Sequence, residues 1–178
     1  MIRLATLTDR PSFMRLWAAH MAEQEKQGSK LLASTSNLYR HLEMFEAYVL
    51  GITAGMCHIQ SCDGEDVGIV MAGECLGGSN WETKMGRMAT LWGVYVEPSH
   101  RGQGIAVKLF QACLAEGLKM GFDSVETYVR LDNPHGQQVA DAFGIKPYQT
   151  QHLIKLRDPA VMNNDKAREA LGREIING

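Results

Sequence analysis

Proline is scarce in this 178-residue chain, 5 residues against 18 glycines. No apolar run approaches the roughly 18 residues that a spanning helix needs, so a membrane partner is not expected. Met1-Ile2-Arg3-Leu4 lacks the basic-then-apolar build of a secretory leader, and a cytoplasmic location is expected. An excess of one charge is also lacking: 18 Lys and Arg face 20 Asp and Glu, for a net charge of -2. Surfaces that hold nucleic acid draw non-specific affinity from a basic excess, so no nucleic-acid partner is expected. The four cysteines, Cys57, Cys62, Cys75 and Cys113, contain no CxxC pair. Cys57-His58 followed by Cys62 fits no zinc template, so free thiols and no metal are expected. What is present, 45% hydrophobic and 21% charged residues, is an ordinary globular mixture. The length suits one domain, or one domain with a short appendage, held without disulfides.

Periodicity then divides the chain. Ile2 to Leu7 reads as a strand, and Thr8-Asp9-Arg10-Pro11 starts a helix whose stripe is Phe13, Leu16, Trp17, His20 and Met21. His20 lies on that stripe and reads as a packed core residue. Gln27 to Ser36 reads as a loop, and Ser36 or Asn37 caps a second helix carrying Leu38, His41, Leu42, Phe45 and Val49, stopped near Gly51. Met56 to Gln60 and Val67 to Glu74 form a hairpin around Asp63-Gly64. After a loop from Gly77 to Gly86, Met88 to Val96 is the most apolar strand. Thr90, Trp92, Val94 and Val96 share one side of it if it is regular. A helix from Ile105 to Met120 closes at Gly121, Ser124 to Leu131 is another strand, and a short helix ends at Gly144. Lys146 to Leu156 returns as one or two strands. The order βααβββαβαβ defines an α/β, layered α+β fold.

The informative stretch is Val94-Tyr95-Val96-Glu97-Pro98-Ser99-His100-Arg101-Gly102-Gln103-Gly104-Ile105-Ala106. It sets two glycines between a buried strand and the first turn of a helix, where unpaired amides and the helix dipole attract an anion. Glycine at 102 and 104 also lets a pyrophosphate approach the backbone, although any strand-to-helix turn can require glycine. A Walker loop would need Lys-Ser/Thr after its last glycine, and Ile105-Ala106 stands there. A dinucleotide fingerprint would need a small residue at Val107 and would normally open the first βαβ unit, although Glu126 stands near the place of a ribose-binding acid.

Val-x-Pro-x-x-Arg-Gly-Gln-Gly-Ile-Ala, from Val96 to Ala106, resembles the acyl-coenzyme A signature of the GNAT family of N-acetyltransferases. That core is written Arg/Gln-x-x-Gly-x-Gly/Ala, and Arg101, Gly104 and Ala106 satisfy it. The resemblance covers residues 1 to 156 and implies a mixed, mostly antiparallel sheet flanked by helices, splayed where the signature strand leaves the strand at 124 to 131. Residues 157 to 178 form a C-terminal extension, read as helical, whose Ala167, Leu171, Ile175 and Ile176 either mediate a homodimer or fold back on their own domain. The resemblance implies acetyl-CoA as acyl donor, with Val94, Tyr95 and Val96 holding its pantetheine arm by backbone groups. Arg101, Gly102, Gln103, Gly104, Ile105 and Ala106 would hold its pyrophosphate, and Asn133 would contact it after the following strand, or serve as a turn or cap residue before Pro134.

From that asparagine the family pattern runs Asn-x-x-Ala-x-x-x-Tyr-x-x-x-Gly-Phe. Here Gly136 replaces the alanine, Ala140 the tyrosine and Ile145 the phenylalanine. The tyrosine is the usual proton donor to the departing thiolate, so Tyr128 is the substitute candidate, against a packing role for its ring. No carboxylate lies on Met88 to Val96 to act as base. Glu97 reads as a solvated rim residue, and His100 as a variable position of the signature. Glu74 and Glu82 flank a loop of unassigned position. The resemblance places the acceptor at Gln24 to Asn37 and Tyr148 to His152. Two functions follow from it: an N-acetyltransferase acting on an amine-bearing small molecule or peptide, or an acyl-CoA-binding regulatory module without efficient catalysis.

Overall fold

The computed structural model describes residues 1–28, 33–74, 82–83, 86–129, 133–134, 136–138 and 143. All of these belong to one compact unit, Met1–Phe143. The expected strands between 146 and 156, the domain boundary at 156 and the terminal helix lie outside the described residues.

Among the described residues six strands build the sheet: β1 (Ile2–Leu4), β2 (Gly55–Cys62), β3 (Glu65–Gly73), β4 (Glu82–Thr83), β5 (Gly86–Val96) and β6 (Ser124–Thr127). Strands β1, β2, β3 and β5 pair antiparallel in that order, β4 pairs antiparallel with β5, and β6 joins β5 in parallel. The sheet is therefore mixed and mostly antiparallel, as the signature implied, and the doubly wound parallel alternative is excluded. Strand β4 was not expected, since its two residues fall within a segment that reads as loop.

The β2–β3 turn has Asp63 at φ 50° and Gly64 at φ 85°, the left-handed pair that a two-residue hairpin needs to match strand twist. Helix α1 (Arg10–Lys26) carries a proline in its first turn, and α2 (Thr35–Val49) is capped by Ser34, whose hydroxyl accepts the Asn37 amide at 3.3 Å. The cap is thus Ser34 rather than Ser36 or Asn37. Helix α3 (Ile105–Lys119) ends at Gly121, with φ 79°, as the sequence suggested.

Two cores fill the space on either side of the sheet. Phe13, Leu16, Trp17, Leu42, Phe45, Tyr48, Ile59, Ile69 and Met71 pack α1 and α2 on one face. Val67, Val70, Ala72, Ala89, Ile105, Leu109, Cys113 and Phe122 pack α3 on the other. Strand β5 changes face within its length. Met71 pairs with Gly93 but Ala72 pairs with Leu91, so Trp92 is an extra residue, a β-bulge. Ala89, Leu91, Val94 and Val96 pack toward α3, whereas Trp92 and Tyr95 pack toward α1 and α2. The regular alternation expected for Thr90, Trp92, Val94 and Val96 therefore fails at the bulge.

Candidate active site

Strand β5 keeps its parallel partner only from Met88↔Ser124 to Leu91↔Thr127. From Gly93 to Val96 it pairs with β3 on one side and, among the described residues, has no strand partner on the other. An unpaired strand edge offers main-chain donors and acceptors to an extended ligand. Val94, Tyr95 and Val96, the residues expected to hold a pantetheine arm, lie on this opened stretch.

The chain leaves β5 through Glu97, a short 3-10 turn at Pro98–His100 and the loop Arg101–Gly104 before α3 begins at Ile105. Gly102 has φ 77° and Gly104 φ 72°, a left-handed conformation that disfavours any side chain. A Cβ added at either position would meet nothing within 4 Å. Backbone conformation therefore demands these glycines, and the space around them is open to a ligand. Gln103, Ile105 and Ala106 bring the rest of the helix start beside it, where the first amides lack intrahelical acceptors. An anionic pyrophosphate fits this combination of open space, exposed amides and helix dipole.

Arg101 behaves differently from its neighbours. Its amide donates to the Pro98 carbonyl at 3.3 Å, and its Nε donates to the Val96 carbonyl at 2.9 Å. Both terminal nitrogens pair with the Glu23 carboxylate on α1, and the guanidinium lies 5.7 Å over the Tyr95 ring. The side chain anchors the loop to α1 and so positions the amides that follow it. A second tie lies two turns earlier, where Arg15 donates to Glu97 at 2.5 Å. Glu97 also accepts from the Tyr95 hydroxyl at 3.3 Å, so it is a paired residue and not the solvated rim group the sequence suggested. The His100 ring meets the Ser99 hydroxyl beside it at 2.9 Å, and its amide donates to the Glu97 carbonyl at 2.9 Å.

Tyr128 follows the last residue of β6, where the two parallel strands have parted, and is 56% exposed. Asn133 caps the next helical turn: its side-chain oxygen accepts the Gly136 amide at 3.0 Å, and its carbonyl accepts the Gln137 amide at 3.0 Å. A Cβ on Gly136 would stand 2.9 Å from both the Asn133 amide nitrogen and Val129. Glycine at the family's alanine position thus allows the cap to close tightly. Glu126 accepts the Thr90 hydroxyl at 2.9 Å, a structural bond within the sheet. Glu74 is paired with Arg87 at 2.8 Å. Positions 140, 145 and 148–152, and the side chain of Glu82, lie outside the described residues.

On the opposite side of the bulge a cavity of about 40 Å³ opens between α1, α2 and β5, lined by Trp17, His20, Met21, Gln24, Asn37, His41 and Trp92. Gly93 admits His20: a Cβ there would lie 2.5 Å from His20 Nε2. The imidazole is tilted against Trp17 at 5.2 Å and meets the Tyr95 ring edge at 6.1 Å. Burial pulls its pKa down to about 4, with Glu23 opposing that shift and His41 adding to it. Burial lowers His41 as well, against a hydrogen bond from its Nδ1 to the Asn37 carbonyl at 2.8 Å. Trp92 is fixed by its indole N–H, which donates to the Tyr48 hydroxyl at 2.9 Å; that hydroxyl donates to the Glu74 carbonyl at 2.5 Å.

His20 is packed against Trp17 and Tyr95, as its helical position suggested, and it also forms a wall of the cavity. The sequence reading placed His41 on a helix stripe and Trp92 on a strand side without bringing them to one cavity, although glycine after tryptophan within an apolar strand signals a bulge. Among the described residues no group of three His, Cys, Asp or Glu side chains is placed to hold a metal. No helix among them is long and apolar enough to cross a membrane.

A family model, Acetyltransferase (GNAT) family, matches residues 17–145. No curated protein matches the sequence. Among solved structures, a Bacillus halodurans protein is 18% identical, with a TM-score of 0.68 over 87% of this chain and 98% of that one. A ribosomal-protein-alanine N-acetyltransferase from Brucella melitensis biovar Abortus 2308 is 18% identical, with a TM-score of 0.60 over 87% and 99%. An aminoglycoside N-acetyltransferase in complex with CoA is 20% identical, with a TM-score of 0.60 over 89% and 94%.

Proposed function

The chain belongs to the GNAT family of acetyltransferases, and is thereby an acyltransferase; we propose that it moves an acetyl group from acetyl-CoA to a primary amine by direct attack. The observation that carries this reading is the continuity of the opened β5 edge with the glycine loop and the start of α3. Gly102, Gln103, Gly104, Ile105 and Ala106 would hold the pyrophosphate by main-chain amides, with Arg101 anchoring the loop. Val94, Tyr95 and Val96 would bond an extended arm along the free edge. When bound, the thioester supplies an electrophilic carbonyl and a thiolate leaving group.

An arm lying along the edge from Val96 back to Trp92 ends at the bulge, beside the cavity that His20 and Trp92 line. The donor edge and the acceptor cavity therefore meet across β5, and two reactants held in this way react as an effectively unimolecular pair. Tyr128, near the parting of the strands, is the proposed proton donor to the leaving thiolate. A thiol's reference pKa of about 8.5 keeps its anion a tolerable leaving group, so this aid adds to the rate without being indispensable.

Calorimetry with acetyl-CoA and NAD, followed by turnover against a panel of amines, tests the proposal. Binding of acetyl-CoA and not NAD, with release of free thiol in the presence of an amine, is the expected result. Binding without turnover for any amine would favour an acyl-CoA-binding regulatory module, the reading that Ala140 at the family's tyrosine position supports. Activity should climb from about pH 6 to about pH 9 as the acceptor loses its proton. Tyr128→Phe should lower the rate, and an unchanged rate would reduce the ring to packing.

A further inference from the structure

The cavity beside the bulge has a chemistry of its own. Its described walls, Trp17, His20, Met21, Gln24, Asn37, His41 and Trp92, include no carboxylate, lysine or arginine. Glu23, the nearest acid on α1, is occupied by Arg101. The His41 Nδ1 atom faces a carbonyl, which only accepts, so this nitrogen carries the proton and Nε2 is the accepting atom of the neutral ring. His20 makes no hydrogen bond among the described residues, and its Nε2 reaches the strand where Gly93 leaves room.

We propose that this cavity seats the acceptor's amino group between the imidazoles of His20 and His41 and selects primary amines carried on uncharged aromatic or apolar bodies. The inference rests on the acetyltransferase reading and adds the substrate class. A neutral amine has two N–H donors and one lone pair. Two imidazole acceptors take up both donors and leave the lone pair free to face β5, where attack requires it. An ammonium ion has no lone pair, and the burial that disfavours protonated His20 also penalises any other cation placed there. Trp17, Trp92 and Met21 offer apolar surface for an aromatic or aliphatic body. At about 40 Å³ the cavity admits the amino head and its first carbons, with the body continuing through the open side. A polycation would meet no counter-charge among the described walls.

The test uses the full chain and two probes, 2-phenylethylamine and spermidine. Without acetyl-CoA, histidine-selective ¹⁵N NMR should show the His20 and His41 signals moving with 2-phenylethylamine and not with spermidine. In turnover with acetyl-CoA, kcat/KM for 2-phenylethylamine should exceed that for spermidine by at least about tenfold. His20→Phe keeps a ring against Trp17 but removes the acceptor, and should lower kcat/KM for 2-phenylethylamine about tenfold with acetyl-CoA affinity unchanged. His20→Gln, which restores an acceptor, should recover most of the loss. Gly93→Ala should reproduce the loss by displacing the imidazole without altering its chemistry. The groups facing His20 are Glu23 on its own helix, His41 on α2 and Tyr95 on β5, with Arg101 holding Glu23. Because His20 is neutral throughout neutral pH, the His20→Phe loss should not vary between about pH 6 and about pH 9.

Preference for spermidine, or an unchanged kcat/KM in His20→Phe, would overturn the substrate class while acetyl-CoA turnover preserved the acetyltransferase reading. Failure to bind acetyl-CoA would refute that reading instead. The amine titration would then decide the cavity alone, and histidine signals unmoved by 2-phenylethylamine would overturn it.

Discussion

The two faces of the sheet are held by different forces. Under α3 the contact is mainly aliphatic, from Val67 and Val70 to Leu109 and Cys113, with Phe122 as its aromatic member. Under α1 and α2 it is aromatic, with Phe13 stacked on Phe45 at 4.5 Å and on Trp17 at 5.5 Å, and polar ties surround it. Arg3–Asp9, Arg10–Glu46, Arg15–Glu97 and Glu23–Arg101 run along α1 from its start to its last turns. Large flat rings leave gaps between them that small branched side chains fill, and the cavity beside Trp92 is such a gap. The α3 face anchors the helix whose start would hold phosphate, while the α1–α2 face holds the cavity with His20 and His41.

Truncating each face tests this contrast most severely. Phe13→Ala should cost about 3–5 kcal/mol and Leu109→Ala about 2–5 kcal/mol, since both side chains are fully buried. Chemical unfolding measures both. If the faces differ as argued, Phe13→Ala should also weaken acceptor binding through Trp17, while Leu109→Ala should leave it intact. Equal effects on the acceptor would erase the distinction.

Acid should act on the α1 face. Asp9 is held from its ordinary 3.8 down to about 2, first by the Arg3 guanidinium, with both contacts at 2.7 Å, and then by the Thr6 amide and hydroxyl. A depressed carboxylate contributes stability above its unfolded pKa and loses it as pH falls through the folded value. Asp9 thus contributes on the order of 2 kcal/mol that fades below about pH 4. His20, lowered from 6.5 to about 4, acts over a higher window. The unfolded chain binds its proton first, so stability falls as pH drops from about 6.5 toward about 4. Unfolding followed from pH 7 to pH 2 should show both limbs, with His20→Phe shrinking the upper one, to which buried His41 and His58 also contribute, and Asp9→Asn removing the lower. A flat profile would contradict the burial of both groups.

The two faces were unequally legible in the sequence. The loop from Arg101 to Gly104 announces itself because local conformation alone demands its glycines, and a local demand leaves a local trace. The hairpin at Asp63-Gly64 and the stop at Gly121 are legible for the same reason. The cavity that His20 lines depends on a register slip between Met71 and Ala72, which sends Trp92 and Gly93 to a side that regular alternation denies them. Glu97 looked solvated because its partner, Arg15, lies 82 residues away in sequence. Such pairings are products of tertiary packing, and no window along the chain contains both ends.

The smallest effect bears on the link between the faces. Glu23→Gln removes the carboxylate that holds Arg101, a half-exposed pair worth less than about 1 kcal/mol. Its loss should hardly move global stability. Arg101 keeps its bond to the Val96 carbonyl, so the loop should stay near its place with more freedom in its amides. Acetyl-CoA affinity should change by no more than about fivefold, downward if the anchored loop is what presents those amides. It should rise if Glu23 mainly repels the incoming phosphates or withholds Arg101 from them. The sign of the change, read by calorimetry at low and high salt, separates anchoring from competition. An increase that salt abolishes would make the α1 face an electrostatic brake on the cofactor loop, and a decrease that salt leaves unchanged would make it a scaffold.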